Sequence, residues 1–113
     1  MITNPKFQIY TGSNDQFYFR LNARNGEQIL SSQGYASKAS CQNGIESVKK
    51  NAADDGRFEK KTAKDGRFYF VLTAANKQVI GQSQMYKTAG GRDNGIKAVQ
   101  RVAADAPVED TTA

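Results

Sequence analysis

Catalysis has few places to start in this chain. Histidine is absent and Cys41 is the sole cysteine, so neither a Ser-His-Asp nor a Cys-His arrangement can form. The commonest metal ligand and neutral-pH acid–base group is missing with it. Cys41 falls on the apolar stripe of an expected helix, where a thiol behaves as a small buried hydrophobe rather than a nucleophile. Carboxylates occur as adjacent pairs, Asp54-Asp55 and Glu109-Asp110, with no third ligand nearby to complete a metal site. Ala89-Gly90-Gly91 could offer free N–H groups to an anion at a helix start, but no Gly-x-Gly-x-x-Gly or Walker spacing surrounds it. A loosened first helical turn is the plainer reading. The sequence therefore supplies no catalytic, metal-ligating or cofactor-binding set. The expectation is a protein that is not an enzyme and carries no cofactor.

Binding chemistry is better represented. Sixteen Lys and Arg stand against eleven Asp and Glu, for a net charge of +5 and a pI near 9.4. The segment from Arg57 to Arg67 holds Arg57, Lys60, Lys61, Lys64 and Arg67 against Glu59 and Asp65. If the strands argued below alternate, Tyr10, Tyr18, Arg20, Lys61 and Tyr69 share the sheet face opposite the core. Rings and cations on an open sheet can stack and neutralise single-stranded nucleic acid. Against this, no RNP-type motif is present, Tyr favours strands for packing reasons, and Lys on edge strands deters aggregation. A solvated face is the favoured reading. Two function classes follow: a non-catalytic binding or accessory module whose partner, another protein for example, is unidentified, and, as the alternative, weak sequence-tolerant binding of single-stranded nucleic acid by the open sheet face.

The elements that must carry these residues come as two copies of one unit. Sliding the chain by 51 positions aligns residues 7–57 with 58–108 at 19 identities and no gap, including Phe17-Tyr18-Phe19 on Phe68-Tyr69-Phe70 and Asn43-Gly44-Ile45 on Asn94-Gly95-Ile96. In each copy, period-two segments with Asn25-Gly26 or Asp65-Gly66 between them read as strands and hairpins. Strands are expected over 7–10, 17–23 and 27–32, and over 57–62, 68–74 and 78–82. The period then shifts to 3.6. Ser37 and Thr88 are good N-caps, and Cys41, Ile45, Val48 and Ala52 form one helical stripe. Gly44 and Gly95 sit mid-helix, at about 1 kcal/mol relative to Ala, which suggests close approach of the helix backbone to the sheet. Tyr35 and Tyr86 are expected to brace the helix starts, and Asn43 and Asn94 to be hydrogen-bonded. The expected core is Phe7, Ile9, Phe17, Phe19, Leu21, Ile29, Ile45, Val48, Phe58, Phe68, Phe70, Leu72, Ile80, Ile96 and Val99.

Spacing also bears on domain organisation. Arg57–Thr62 follows the first helix and aligns with the first strand of copy one, so it both closes unit one and opens unit two. Pro107–Thr112 follows the second helix in the same way. Residues 1–113 therefore read as one domain made of repeat 6–56 and repeat 57–112, with strand 57–62 shared. A lone unit of this size would be marginally stable. The expected fold is α+β: two tandem β-β-β-α-β repeats in one continuous antiparallel sheet, with both helices on one face and the last strands exchanged between repeats. A cytoplasmic monomer with internal pseudo-two-fold symmetry is the expectation, with no membrane partner, because apolar runs are short and the N-terminus lacks a secretory pattern.

The run Phe17-Tyr18-Phe19-Arg20-Leu21-Asn22-Ala23, then Asn25-Gly26-Glu27, Ser32-Gln33-Gly34-Tyr35, Ser37-Lys38 and Asn43-Gly44-Ile45-Glu46-Ser47-Val48-Lys49 resembles the YegP-like family. These are small bacterial proteins of unknown function whose unit occurs singly or in tandem. The resemblance implies three strands, a helix and a final strand per unit, with last strands exchanged into a single sheet. It implies no activity. Copy two departs from copy one where Arg20, Gly26, Lys38 and Lys49 become Val71, Lys77, Ala89 and Gln100, so any site relying on those residues occurs once.

Overall fold

The computed structural model describes residues 2–112. Strands β1 (Lys6–Thr11), β2 (Phe17–Asn22) and β3 (Gln28–Ser31) precede helix α1 (Lys38–Asn51); β4 (Phe58–Thr62), β5 (Phe68–Thr73) and β6 (Val79–Gln82) precede α2 (Ala89–Val102); and β7 (Val108–Asp110) closes the chain. One seven-stranded sheet results, in the order β4-β5-β6-β3-β2-β1-β7. Ser37 and Thr88 cap the helices as their sequence context predicts, accepting from Ser40 N–H at 3.1 Å and Gly91 N–H at 2.9 Å.

Phe7, Ile9, Phe19 and Leu21 from one copy and Phe70, Leu72 and Ile80 from the other form a single buried cluster with Ile45, Val48, Ile96 and Val99. Both helices therefore cover the same sheet face. Helix α1 lies against β2 of its own copy and β5 and β6 of the other, while α2 lies against β5 and, reciprocally, β3. Each helix thus spans both copies.

The two halves meet where β3 pairs antiparallel with β6 at Ser31 and Gln82. Leu30 and Gly81 occupy equivalent repeat positions here, and they are complementary in volume. A Cβ on Gly81 would lie 2.7 Å from Leu30 Cδ2 and Cγ, so Leu30, fully buried, fills the space that Gly81 leaves. Two leucines would not fit. Leu30 was not among the expected core residues. Strict alternation buries either Ile29 or Leu30, but a register shift in the β2–β3 ladder makes Ile29 a bulge residue and buries both. The same shift recurs between β5 and β6 at Ile80.

Three expected core residues are only half-buried: Phe17, Phe58 and Phe68. Phe17 and Phe68 open their strands, where single bridges to Tyr35 and Tyr86 extend the sheet, and the Arg92 guanidinium lies 5.3 Å from the Phe68 ring centre. Phe58 stands on β4, which ends the sheet among the described residues. The mid-helix glycines are also approached differently than expected. A Cβ on Gly44 would meet the Tyr35 hydroxyl at 2.5 Å and Phe19 at 3.0 Å, and Gly95 is crossed likewise by Tyr86 and Phe70. Each Tyr thus runs beneath the helix two turns in, stacked on its sheet Phe (Tyr35 on Phe19 at 6.3 Å). Asn43 and Asn94 are exposed and, among the described residues, make no side-chain hydrogen bond.

The sheet is mixed, not wholly antiparallel. Strand β7 runs parallel to β1, in the register Phe7↔Val108 and Ile9↔Asp110. The cause is the pseudo-two-fold. After α1 the chain enters the sheet beside β5 and becomes β4. After α2 it arrives in the equivalent sense beside β2, but β1 already fills that place in that direction. Strand β7 therefore adds outside β1 and parallel to it. Phe7 N–H donates to Pro107 O at 2.8 Å and Thr111 N–H to Ile9 O at 3.0 Å. Charge pins it: Lys6 Nζ to Glu109 at 3.0 Å and Lys38 Nζ to Asp110 at 2.8 Å. Hydrogen bonds from Gln8 and Lys6 lower the Glu109 pKa from 4.5 to about 2, and bonds from Lys38 and Thr112 lower that of Asp110 from 3.8 to about 2.

Gly81→Ala should cost about 1–3 kcal/mol by overpacking, and in a Leu30→Ala background the penalty should vanish. Urea unfolding of the four proteins measures this; an undiminished penalty, or two separate transitions in any of them, counts against the shared joint. Because the folded carboxylate pKa values are depressed, the electrostatic part of the β7 attachment is complete above about pH 4.5 and is lost as pH falls through about 2, in keeping with proton linkage. The protection factors of the Phe7 and Thr111 amides should fall over that interval, well before global unfolding; unchanged protection at pH 2 would contradict it.

Candidate functional site

Cys41 lies fully buried in the core, where desolvation pushes its thiol up to about 11 and the nearby Asp110 charge adds to the shift. At neutral pH it is protonated and out of reach of solvent, the state of a packing residue. Burial also raises Tyr35 and Tyr86 above the usual phenol range. Among the described residues, no group of three or more Cys, Asp and Glu side chains is placed to hold a metal.

The helix-free sheet face holds the candidate residues. In β1 and β2, Phe7, Ile9, Phe19 and Leu21 point into the core, so alternation sends Gln8, Tyr10, Tyr18 and Arg20 to the other side. Tyr10 and Tyr18 are register partners. Their rings stack at 5.6 Å with 18° between planes, and the Arg20 guanidinium sits 4.3 Å from the Tyr10 ring centre. Arg20 Nε donates to Gln8 Oε1 at 3.1 Å, and Asn14 Nδ2 donates to the Tyr18 hydroxyl at 3.0 Å. Gly12 leaves room for the edge of the Tyr18 ring, since a Cβ there would come within 2.6 Å of it. Arg20, Tyr10 and Tyr18 thus form one supported pile.

Lys61 and Tyr69 are partners in the β4–β5 ladder and share this face, but they do not join the pile. Strands β6 and β3 lie between β5 and β2, which sets the groups about 14 Å apart at the usual strand spacing. In repeat terms Lys61, Tyr69 and Val71 replace Tyr10, Tyr18 and Arg20. Val71 is buried yet lies outside the helix-side cluster. Lys61 is exposed and pairs with Glu59 at 3.6 Å. Three further residues belong to this surface: Gln8, which orients Arg20; Asn22, which alternation places with Tyr18 and Arg20 and whose amide also donates to Gln8 Oε1; and Glu109, which accepts from Gln8 Nε2 at 2.8 Å. Alternation alone identifies the first two. Glu109 required the parallel placement of β7.

A concavity of about 360 Å³ also opens where the β2–β3 hairpin of one copy meets α2 of the other, lined by apolar residues such as Ile29, Ala98 and Val102 with Glu27, Gln84 and Arg101 among them. Gln84 Nε2 donates to Glu27 Oε1 at 2.7 Å across it, a tie between the halves.

Comparison with known proteins gives a consistent result. The DUF1508 family, a domain of unknown function, matches residues 13–59 and again 63–110. A UPF0339 protein of Bordetella pertussis is 54% identical over 104 residues, 92% of this chain and 94% of that protein. The solution NMR structure of YegP from E. coli, described as a protein of unknown function, superposes with a TM-score of 0.91 at 47% identity, covering 98% of this chain and 96% of that one. A UPF0339 protein from Shewanella oneidensis gives a TM-score of 0.88 at 46% identity, over 93% and 89% of the respective chains.

If the Tyr10–Tyr18 stack is a coupled unit, a double-mutant cycle of Tyr10→Ala and Tyr18→Ala should return a coupling of about 0.5–1.5 kcal/mol. Additive losses would mean that the two rings are merely adjacent.

Proposed function

The chain belongs to the DUF1508 family, of which it carries two tandem copies, and from that premise we propose that it is a non-catalytic binding module whose contact surface is the helix-free sheet face. The observation that carries this reading is the pile of Arg20, Tyr10 and Tyr18, held from the sides by Gln8 and Asn14. Tyr and Arg dominate the energetics of protein interfaces. Side chains already fixed in place lose little conformational entropy when a partner arrives. The non-catalytic part of the reading is supported by the buried, protonated Cys41 thiol.

A second reading, weak binding of single-stranded nucleic acid, is supported by the net charge of +5 and by Lys61 and Tyr69 on the same face. The two readings separate by salt. Phosphate-driven binding weakens steeply as salt rises, whereas an apolar contact hardly changes.

The test compares the wild-type protein with a Tyr18→Ala, Arg20→Ala double variant. On the main reading, a partner captured by the wild type at physiological salt is lost by the double variant and persists for the wild type at higher salt. Identical capture profiles would remove the face from consideration. In parallel, isotope-labelled protein is titrated with mixed single-stranded RNA and DNA. Shifts at Tyr18, Arg20, Lys61 and Tyr69 that fade with salt would establish the second reading in place of the first.

A further inference from the structure

The internal repeat exposes an asymmetry at the two edges of the sheet. On one side, β1 is covered by β7 in parallel pairing, and Val108 packs beside Gln42, Ile45 and Glu46 of α1. On the other side, β4, the repeat counterpart of β1, pairs only with β5 and ends the sheet. Among the described residues, nothing occupies the pseudo-two-fold equivalent of the β7 place, because the segment that would fill it is already used as β4. Backbone direction makes this edge receptive. Phe68 and Phe70 turn their backbone groups towards Tyr86 and Ser83, so Tyr69 and Val71 bond to β4 through Lys61 and Glu59. Alternation then points the N–H and C=O of Lys60 away from the sheet. Lys60 is the counterpart of Ile9, whose backbone carbonyl accepts from Thr111 N–H on β7.

Beside this edge runs a groove of about 430 Å³ between β4 and α2, with Phe58 and Ile96 as its apolar floor and Lys60, Asp93 and Lys97 on its walls. Ile96 is the counterpart of Ile45, against which Val108 packs on the covered side.

We propose that β4 is a strand-addition site that takes an extended segment of another protein in parallel, with a Val-like residue entering the Phe58–Ile96 groove and a basic residue following it. The pattern is the β7 place as this molecule itself displays it, altered by the substitutions between copies. On the covered edge, Lys6, Gln8 and Lys38 select Glu109 and Asp110. Their counterparts on the open edge are Arg57, Glu59 and Ala89. Arg57 is engaged by Asp54 at 3.5 Å, Glu59 presents a carboxylate where Gln8 presented an amide, and Ala89 offers no charge. An acidic strand loses the Gln8 amide and the Lys38 ammonium it has on β1 and finds Arg57 already engaged, and a basic residue at the Glu109 position meets Glu59 in competition with Lys61, 3.6 Å away. The same substitutions disfavour the β7 segment of a second copy. Main-chain bonds supply the affinity in this mode and alternate side chains the specificity.

This inference extends the binding-module reading to a second surface, and one spectrum separates the two: shifts at Tyr10, Tyr18 and Arg20 report on the face, shifts at Lys60 and Thr62 on the edge. The isotope-labelled full chain is titrated with two capped peptides. One is residues 106–112 as they stand; the other carries Glu109→Lys and Asp110→Thr. The basic peptide should shift the Lys60 and Thr62 amides and the Ile96 methyls, and bind about fivefold more tightly than the acidic one, the scale of exposed ion pairs. Lys60→Pro, which removes the outward N–H together with the Lys60–Asp93 pair, should abolish the shifts at the Thr62 amide and the Ile96 methyls with the spectrum otherwise native, whereas Lys60→Ala, which removes the pair alone, should keep them. Glu59→Lys, on an exposed side chain, should reverse the preference and serves if the proline variant does not fold. No shift on β4 at millimolar peptide, or equal affinity for the two peptides, overturns the proposal. So does concentration-dependent broadening of β4 without peptide, which would make a second copy the occupant.

Discussion

Everything in this molecule depends on the joint between β3 and β6. A single copy of the unit has a three-stranded sheet and one helix, too little to bury either element fully. Joining the copies edge to edge lets each helix lie across strands of both and gathers their apolar faces into one cluster. The joint is narrow, one antiparallel bridge at Ser31 and Gln82, so packing across it must be close. Leu30 filling the volume left by Gly81 provides that closeness. The repeat had to diverge at this position, because two leucines or two glycines would overfill or empty the same space.

The same pseudo-two-fold explains why the sheet ends unequally. A unit with three strands, a helix and a trailing strand sends its last strand to its neighbour. In a tandem chain the middle segment performs that task once, for unit two, while the terminal segment finds its place already taken by β1. Strand β7 is the consequence: a short, acidic, parallel addition held by Lys6, Gln8 and Lys38. Its hold is partly electrostatic, and the depressed Glu109 and Asp110 pKa values record how much those carboxylates gain from their partners.

Divergence between the copies also separates the surfaces. Tyr10, Tyr18 and Arg20 of the first copy become Lys61, Tyr69 and Val71 of the second, so a stacked aromatic–cation pile exists on one half only. In the second copy the same three positions carry an exposed Lys, which pairs with Glu59, one Tyr and a buried Val. The fold is nearly symmetric and its chemistry is not.

Much of the architecture is legible in the residues themselves. The 51-residue offset, the change of hydrophobic period after the third strand, the Ser37 and Thr88 caps and the alternation that places Tyr10, Tyr18 and Arg20 opposite Phe19 and Leu21 are local or periodic properties, and the backbone geometry of strands and helices translates them directly. What could not be read are events that depend on who lies next to whom. The bulge that buries both Ile29 and Leu30, the crossing of Gly44 by Tyr35 from beneath, the half-exposure of Phe58 and the contribution of Glu109 to the sheet face each require knowing which strand is at the edge and which is already covered. The parallel sense of β7 is the clearest case. Sequence shows that the last segment is a strand, but its direction and neighbour follow from competition with β1 for one place in the sheet, and only the assembled fold resolves that competition.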